Sequence, residues 1–417
     1  MKIRASIPSV EEVEVEASRS LTVKDLTNLV CKKLGIEPEY SRLLAEGRPL
    51  NPKLKIGQLD LSEAKLIVDY VWARHLILWG KDGQRRLREA NILMIGAGAI
   101  GNEVAKNLAM LGVGRLTFVD FDVVELSNTS RMIFFDRGNV GKSKAEAIAH
   151  AIMKKYPHTK VTAYHSKLED IPLSAYLEAD AIVCGLDNVL SRVYLSTIGT
   201  RYLIPIVDGG ILGYQARVQT YIPSHSPCLA CVLPRGQYGQ LAGLKNPCDA
   251  PIEDAKIPSL PTTTSLVSAV QTQEVLKLIV GYPIFRQKGT WPQETGEPIS
   301  GVWIADLRFG KYATMPLNRS EKCMVCGAEG VGRENVKRVE VPIRKLGDST
   351  AALKKAILKL LPKEYGDLQI SKIGTEQDSR VIDATKMSRS GIRVGDFLQV
   401  TFKSGPERYE DLIVKLV

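Results

Sequence analysis

Residues 94–131 read MIGAGAIGNEVAKNLAMLGVGRLTFVDFDVVELSNTSR. Gly96, Gly98 and Gly101 follow the apolar run ANILMI and lead into the helical pattern GNEVAKNLAMLG. A glycine loop between a strand and a helix permits a tight turn, close approach of backbone to phosphate, and helix–strand packing. It also places anionic oxygens near a helix N-terminus. Asp120 ends the next apolar run, where its carboxylate can accept hydrogen bonds from ribose hydroxyls. These features predict an α/β fold with a nucleotide at the edge of a mainly parallel sheet. Taken alone, they fit a nicotinamide-dependent dehydrogenase.

The continuation departs from that reading. Asp122, Glu125, Asn128 and Arg131 crowd the segment after Asp120, VGKSKAEA places Lys142 and Lys144 at a helix start, and CGLDN puts Asp187 at another strand end. A diphosphate coenzyme needs no second set of cations. A triphosphate reacting at phosphorus needs cations against the transferring group and a carboxylate for Mg²⁺.

Further strand-length runs are KVTAYHS, AIVCGLD and IPIVDGG, separated by the helical patterns GKSKAEAIAHAIMKKY and NVLSRVYLSTIGTRY. No regular element is evident across about 235–261, and an irregular stretch of that length inside a compact domain is usually functional or disordered. The ends of the chain differ. Residues 1–71 read strand, strand, helix, strands. The helix LTVKDLTNLVCKKLG has Thr22 and Asp25 in a capping-box arrangement, Gly35 at its stop, and Leu26, Leu29, Val30 and Leu34 on one face. That order, with RLLAEGRPLNPKLKIGQL, resembles ubiquitin, but the chain runs on through DYVWARH, so the copy reads as a fixed module. Residues 333–417 repeat a strand–helix–strands order, with Ser349 at the helix N-cap and Pro362 beyond its end. The expected domains are 1–71, 72–332 and 333–417.

Net charge is +10, yet no Lys/Arg block carries interleaved aromatics, which speaks against nucleic acid. No apolar run reaches a membrane span, and the N-terminus lacks a signal-peptide core; a cytoplasmic chain is expected. Seven cysteines without such a signal argue for metal or catalytic use over disulfides. Cys228–Cys231 and Cys323–Cys326 are two CxxC knuckles, the donor set of a closed structural Zn²⁺ site. Cys184 and Cys31 read as packing residues. Cys248, in GLKNPCDAP near Lys245, sits in a polar setting where a thiolate can form.

GAGAIG, LTFVDFDVVELSNTSR, VGKSKAEA, GLDN and VDGG, in that order, resemble the adenylation domain of ubiquitin-activating enzymes and their bacterial relatives ThiF and MoeB. The resemblance covers roughly residues 72–330. It implies a Rossmann-like α/β adenylation domain with structural zinc, flanked by two small β-grasp (α+β) domains. It implies ATP and Mg²⁺, with Gly96, Gly98, Gly101 and Asp120 at the nucleotide, Asn128, Arg131 and Lys144 at its phosphates, and Asp187 at the metal. Arg74 matches an arginine given across a dimer to the partner's ATP, so a homodimer is expected. Cys248 precedes IPSLPTTTSLVSAVQTQEVLKLIVG, which resembles the segment after the catalytic cysteine of single-chain activators. The implied activity is adenylation of a ubiquitin-like protein, then thioester formation on Cys248, with residues 333–417 recruiting a conjugating enzyme. Alternatives are adenylation of a sulfur carrier and a noncatalytic scaffold. Where the family reads S-N-L-N-R-Q, this chain has Met132 after Arg131, and Asn102 follows the third glycine where a smaller residue or cysteine is commoner.

Overall fold

The computed structural model describes residues 1–61, 65–186, 188–232, 258–328, 330, 337–362, 364–373, 386–387, 391–404 and 409–417. Met1–Glu89 with Met110–Gly114 and Ile279–Glu297 form one compact unit; Ala90–Ala109, Arg115–Leu278 and Pro298–Val417 form another.

In the first unit, β1 (Lys2–Ile7) pairs antiparallel with β2 (Glu11–Glu16) and parallel with β5 (Lys65–Tyr70). With β3 (Ser41–Ala45) and β4 (Arg48–Pro49) the order is β2-β1-β5-β3-β4. Helix α1 (Val23–Leu34) starts on the expected reciprocal cap of Thr22 and Asp25 and stops on Gly35 in the left-handed conformation. Leu26, Val30 and Leu34 pack on Ile3, Ala5 and Leu66, and Cys31 is buried among them. Leu29, expected on that face, is 39% exposed, at the edge of the stripe.

The module has no free tail. β5 runs through Trp72 into α2 (Ala73–Glu89), whose path breaks at Gly80 with φ +66°. Trp72 is buried, lies edge-on to Tyr40 and Tyr70, and donates its indole N–H to Met110 O at 3.0 Å. Arg88 of α2 pairs with Glu37 at 3.2 Å and lies over the Tyr40 and Trp72 rings. These contacts fix the junction between β-grasp and helix.

The second unit is built on an eight-stranded sheet. Its strands are β6 (Asn91–Ile95), β7 (Arg115–Val119), β8 (Lys160–Tyr164), β9 (Ala181–Cys184), β10 (Ile206–Leu212), β11 (Gln215–Tyr221), β12 (Val302–Asp306) and β13 (Lys311–Met315), in the order β13-β12-β11-β10-β9-β6-β7-β8. The five strands from β10 to β8 run parallel, and β11, β12 and β13 add antiparallel. Successive connections go β6 to β7 to β8 one way and return to β9 on the other side of β6. The direction of winding thus reverses between β6 and β9, and open α/β sheets leave a ligand crevice outside the strand carboxyl ends at such a point.

Helices α3 (Ala99–Met110), α4 (Lys144–Lys155), α5 (Leu173–Leu177), α6 (Val189–Tyr202), α7 (Pro261–Leu276) and α8 (Tyr282–Lys288) follow in the chain. α7 is buried over β10 and β11 and ties to them through polar side chains, Gln271 and Glu274 foremost. Gln271 donates to Cys184 O at 2.9 Å and Val207 O at 3.1 Å. Glu274 accepts from Thr220 Oγ1 at 2.6 Å and Ile299 N–H at 2.7 Å. Paired groups of this kind escape the desolvation cost that an unpaired one carries.

The C-terminal part belongs to the second unit. β14 (Lys337–Val341) and β17 (Tyr409–Leu416) pair in parallel, with β16 (Phe397–Lys403) and β15 (Gly366–Ile373) beyond, and α9 (Thr350–Leu358) covers one face through Leu353 and Ile357. A parallel first-and-last strand pair is the pairing expected of a β-grasp, but here β14 is the sheet's edge, and among the described residues no second strand precedes the helix. Ser349 caps α9 as expected, accepting from Ala352 N–H at 3.2 Å. The opposite sheet face is engaged with the large sheet's domain. Phe397 and Ile413 share a core with Leu177, Tyr202 and Ile204. Arg338 donates to Leu177 O and, at 3.3 Å, to Tyr202 O, so one guanidinium meets the C-terminal ends of α5 and α6. Arg201 pairs with Asp411 at 3.2 Å. Among the described residues, no helix is long and apolar enough to cross a membrane.

Candidate functional site

The loop after β6 is held open by its own chemistry. Gly96 has φ +97°, and a Cβ at Gly101 would stand 2.1 Å from Gly96 O, so the first glycine makes the turn and the third lets α3 close on it. Asn102, fully buried, pins this loop: its amide donates to Ala97 O at 2.8 Å and Gly98 O at 3.1 Å. Its Oδ1 accepts from Phe134 N–H at 3.1 Å, tying the loop to the segment that carries Arg131. The residue that departs from the resembled pattern is therefore a strut.

Asp120 stands just past β7. One carboxylate oxygen accepts from Ala97 N–H at 2.7 Å and the other from Asp122 N–H at 2.8 Å. Burial pushes this carboxyl above the usual aspartate range, opposed by the Asp122 backbone bond and by the positive charge of Lys144. Lys144 opens α4 behind the Ser143 cap, and its ammonium pairs with Asp122 at 2.7 Å. Asn128 is buried, its Oδ1 accepting from Glu125 N–H at 2.9 Å; the Arg131 guanidinium folds back on Ser127 O at 2.8 Å. Lys142 is exposed. Glycine loop, Asp120, Asn128, Arg131 and Lys144 thus all lie in the loops that leave β6 and β7 at the sheet's carboxyl edge or in the first turn of the helix that follows.

Asp208 of β10, the aspartate of VDGG, has no exposed surface. It is matched by Arg217 Nη2 at 2.7 Å and Arg192 Nε at 3.2 Å, and the Cys184 thiol points at it from 3.4 Å. Arg192 also donates to Leu186 O, in the loop after β9. Burial pushes the Cys184 thiol well up, so it stays protonated and unreactive, as its packing role requires.

The two CxxC knuckles meet. Cys228 Sγ lies 3.8 Å from Cys231 Sγ and 3.6 Å from Cys323 Sγ, Cys231 Sγ lies 3.5 Å from Cys326 Sγ, and all four sulfurs fall within 4.8 Å of one another. A tetrahedral thiolate site with metal–sulfur bonds of about 2.3 Å needs sulfur separations of about 3.8 Å. The cluster is thus compatible with zinc, and its three short contacts are near that spacing. Contacts with Cys228 and then Cys231 hold the Cys323 and Cys326 thiols below their usual range, while crowding by its neighbours, Cys231 first, pushes Cys228 up.

Residues 72–328, well over half the chain, match the ThiF family. The chain belongs to the ThiF family. Residues 2–70 of this ThiF-family chain match the Ubiquitin family. The SAMP-activating enzyme E1 of Haloferax volcanii is 28% identical over 286 residues, covering 67% of the chain and 92% of that protein. The molybdopterin-synthase adenylyltransferase of Escherichia coli is 28% identical over 273 residues, 64% of the chain and 99% of that protein. The Nedd8-activating enzyme E1 catalytic subunit of Drosophila melanogaster is 34% identical over 158 residues, 35% of each chain, so the match spans about a third of that relative's length. In structure, E. coli MccB with MccA superposes with a TM-score of 0.50 at 21% identity, over 62% of this chain and 74% of that one, which shows a shared fold.

Of the expected site residues, Asp187 and Cys248 lie outside the described residues, as does Lys245. Arg74 is exposed on α2, next to the exposed Ile77 and Leu78. What the sequence did not disclose is the strut role of Asn102, the arginine partners of the buried Asp208, and the grip of Asp122 on Lys144. The pattern around VDGG was the only signal for Asp208; its partners come from separate strands and helices.

Proposed function

We propose that this ThiF-family chain uses Mg·ATP to activate the C-terminal carboxylate of a ubiquitin-like protein and then carries that protein as a thioester. The observation that carries the reading is the gathering of glycine loop, Asp120, Arg131 and Lys144 at the carboxyl edge where the winding reverses. A carboxylate oxygen attacks the α-phosphorus of ATP, pyrophosphate leaves, and an acyl-adenylate forms. Gly96, Gly98 and Gly101 seat the nucleotide, Asp120 accepts from the ribose hydroxyls, and Asn128, Arg131 and Lys144 donate to phosphate oxygens. Catalysis is then mainly positioning and compensation of charge. Asp187 would hold Mg²⁺, which would supply further charge compensation. Arg74, exposed beside Ile77 and Leu78, fits a residue lent to a second copy in a homodimer. The Cys248 thiolate then attacks the acyl carbon and AMP leaves.

Zinc at Cys228, Cys231, Cys323 and Cys326 is structural in this reading, since four protein ligands leave no open position. The functional divisions are 1–71, 72–332 with the cysteine segment at about 235–261, and 333–417. The last recruits a conjugating enzyme; because its open sheet face is engaged through Phe397 and Ile413, the partner meets the side carrying α9. The proposed compartment is the cytoplasm, with no nucleic acid or membrane partner. A second reading, adenylation of a sulfur carrier for thiocarboxylate formation, draws on the end-to-end alignment with molybdopterin-synthase adenylyltransferase.

The test is thioester formation with a ubiquitin-like protein of the same genome ending in Gly-Gly. The expected product is a reductant-sensitive adduct on a non-reducing gel. Cys248→Ala is expected to lose the adduct and keep ATP–pyrophosphate exchange. An adduct that survives Cys248→Ala removes the nucleophile assignment, and exchange without any adduct favours the sulfur-carrier reading.

A further inference from the structure

The adenylation chemistry gives Asp122 no task, yet this residue stands at the centre of the crevice's hydrogen bonds. Its N–H donates to Asp120 Oδ1 at 2.8 Å, its carbonyl accepts from Lys144 N–H at 3.0 Å, and its Oδ2 accepts from Lys144 Nζ at 2.7 Å. The other oxygen of Asp120 holds Ala97 N–H of the glycine loop at 2.7 Å. One unbroken run of contacts therefore joins glycine loop, Asp120, Asp122 and Lys144. Neighbouring backbone bonds lock the same register: Val124 N–H to Lys142 O at 2.8 Å and Gly141 N–H to Val124 O at 2.9 Å.

As an ion pair this contact stabilises little, because the Asp122 side chain is 51% exposed. The lysine side chain, in contrast, is only 12% exposed. A lysine carries its charge on a flexible four-carbon stem, and a fixed acceptor at its tip removes that freedom before the reaction. An ammonium has three N–H donors, so one bond to Asp122 leaves two for anionic oxygens. We propose that Asp122 is a positioning residue that holds the Lys144 ammonium at the crevice so that its remaining N–H groups meet the reacting phosphates. The proposal rests on the adenylate-forming reading above. Asp120 and Asp122 then act in sequence: the first orders the loop and the ribose, and the second aims the cation.

ATP–pyrophosphate exchange by the full chain, with the Gly-Gly-ending ubiquitin-like protein as substrate, tests this. Asp122→Asn should lower kcat at least about tenfold, because small displacements of an aligned group are costly. KM for ATP should change by less than about threefold, since the loss is in the transition state. Asp122→Glu, which keeps the charge, should recover part of the rate. Asp122→Asn in a Lys144→Met background should cost nothing more, because its effect passes through the lysine. Multiplicative losses in the double variant overturn the proposal. So does a wild-type kcat in Asp122→Asn, or a lowered KM at unchanged kcat, which would make Asp122 a competitor of ATP. Absence of exchange in the unaltered chain fails the adenylation reading itself and takes this proposal with it.

Discussion

Lys144→Met is expected to slow ATP–pyrophosphate exchange by about 10²–10³, the cost of removing one preorganised donor from developing charge. Methionine keeps the length and apolar stem of the side chain and deletes the ammonium. The fold should survive. Lys144 sits in the first turn of α4, where Ser143 caps the helix by accepting from Glu146 N–H, and its ion partner Asp122 is half exposed. Thermal melting should therefore move little while the rate collapses. The two measurements together separate a catalytic loss from unfolding. A rate within about threefold of the unaltered chain would leave Lys144 a solvated helix residue, with no part in the chemistry.

Removal of metal from the four-cysteine cluster is the second large effect. Cys228, Cys323, Val325 and Cys326 belong to the same buried core as Tyr221, Leu195 and Ile206, so the cluster is part of the domain's interior. It joins the chain just after β11 to the segment just after β13, 95 residues apart. A ligand that binds the native state alone stabilises it by mass action, and structural zinc binds tightly enough to make that term large. Chelation, or Cys323→Ala, is expected to lower the melting temperature by ~10 °C or more, given about 2–4 °C per kcal/mol for domains of this size. Metal analysis should return one zinc per chain before chelation and none after. A chain that holds no metal, or that melts identically with and without chelator, contradicts a structural ion here.

Much of this organisation was legible in the residues, for reasons that differ from site to site. The caps of α1 are local chemistry: Thr22 and Asp25 are three residues apart and Gly35 is adjacent to the last turn, so short-range pattern suffices. The glycine loop is legible because only glycine tolerates the φ of position 96 and the backbone contact at 101. The cysteine cluster could be read across its long separation because each knuckle supplies half of a known ligand number. Asn102 could be seen only as a departure; its bond to Phe134 N–H spans 32 residues and leaves no local signature. Asp208 and its arginines meet from β10, β11 and α6, which no periodicity connects. The burial of Arg338 against α5 and α6 depends on how the C-terminal sheet docks. That docking is a tertiary outcome, so the residue reads from sequence as an ordinary strand cation. Leu29 shows the converse error: helical spacing assigned it to a buried face, and it lies exposed at the edge of that stripe.

The central claim is that the crevice at the carboxyl edge of β6 and β7 receives Mg·ATP. Isothermal titration calorimetry of the purified full chain, with Mg·ATP in one series and NADH in the other, tests it most directly. Binding of Mg·ATP at one site per chain, abolished by Asp120→Ala, with no heat from NADH, is the predicted result. Saturable binding of NADH by a chain that ignores Mg·ATP would contradict it.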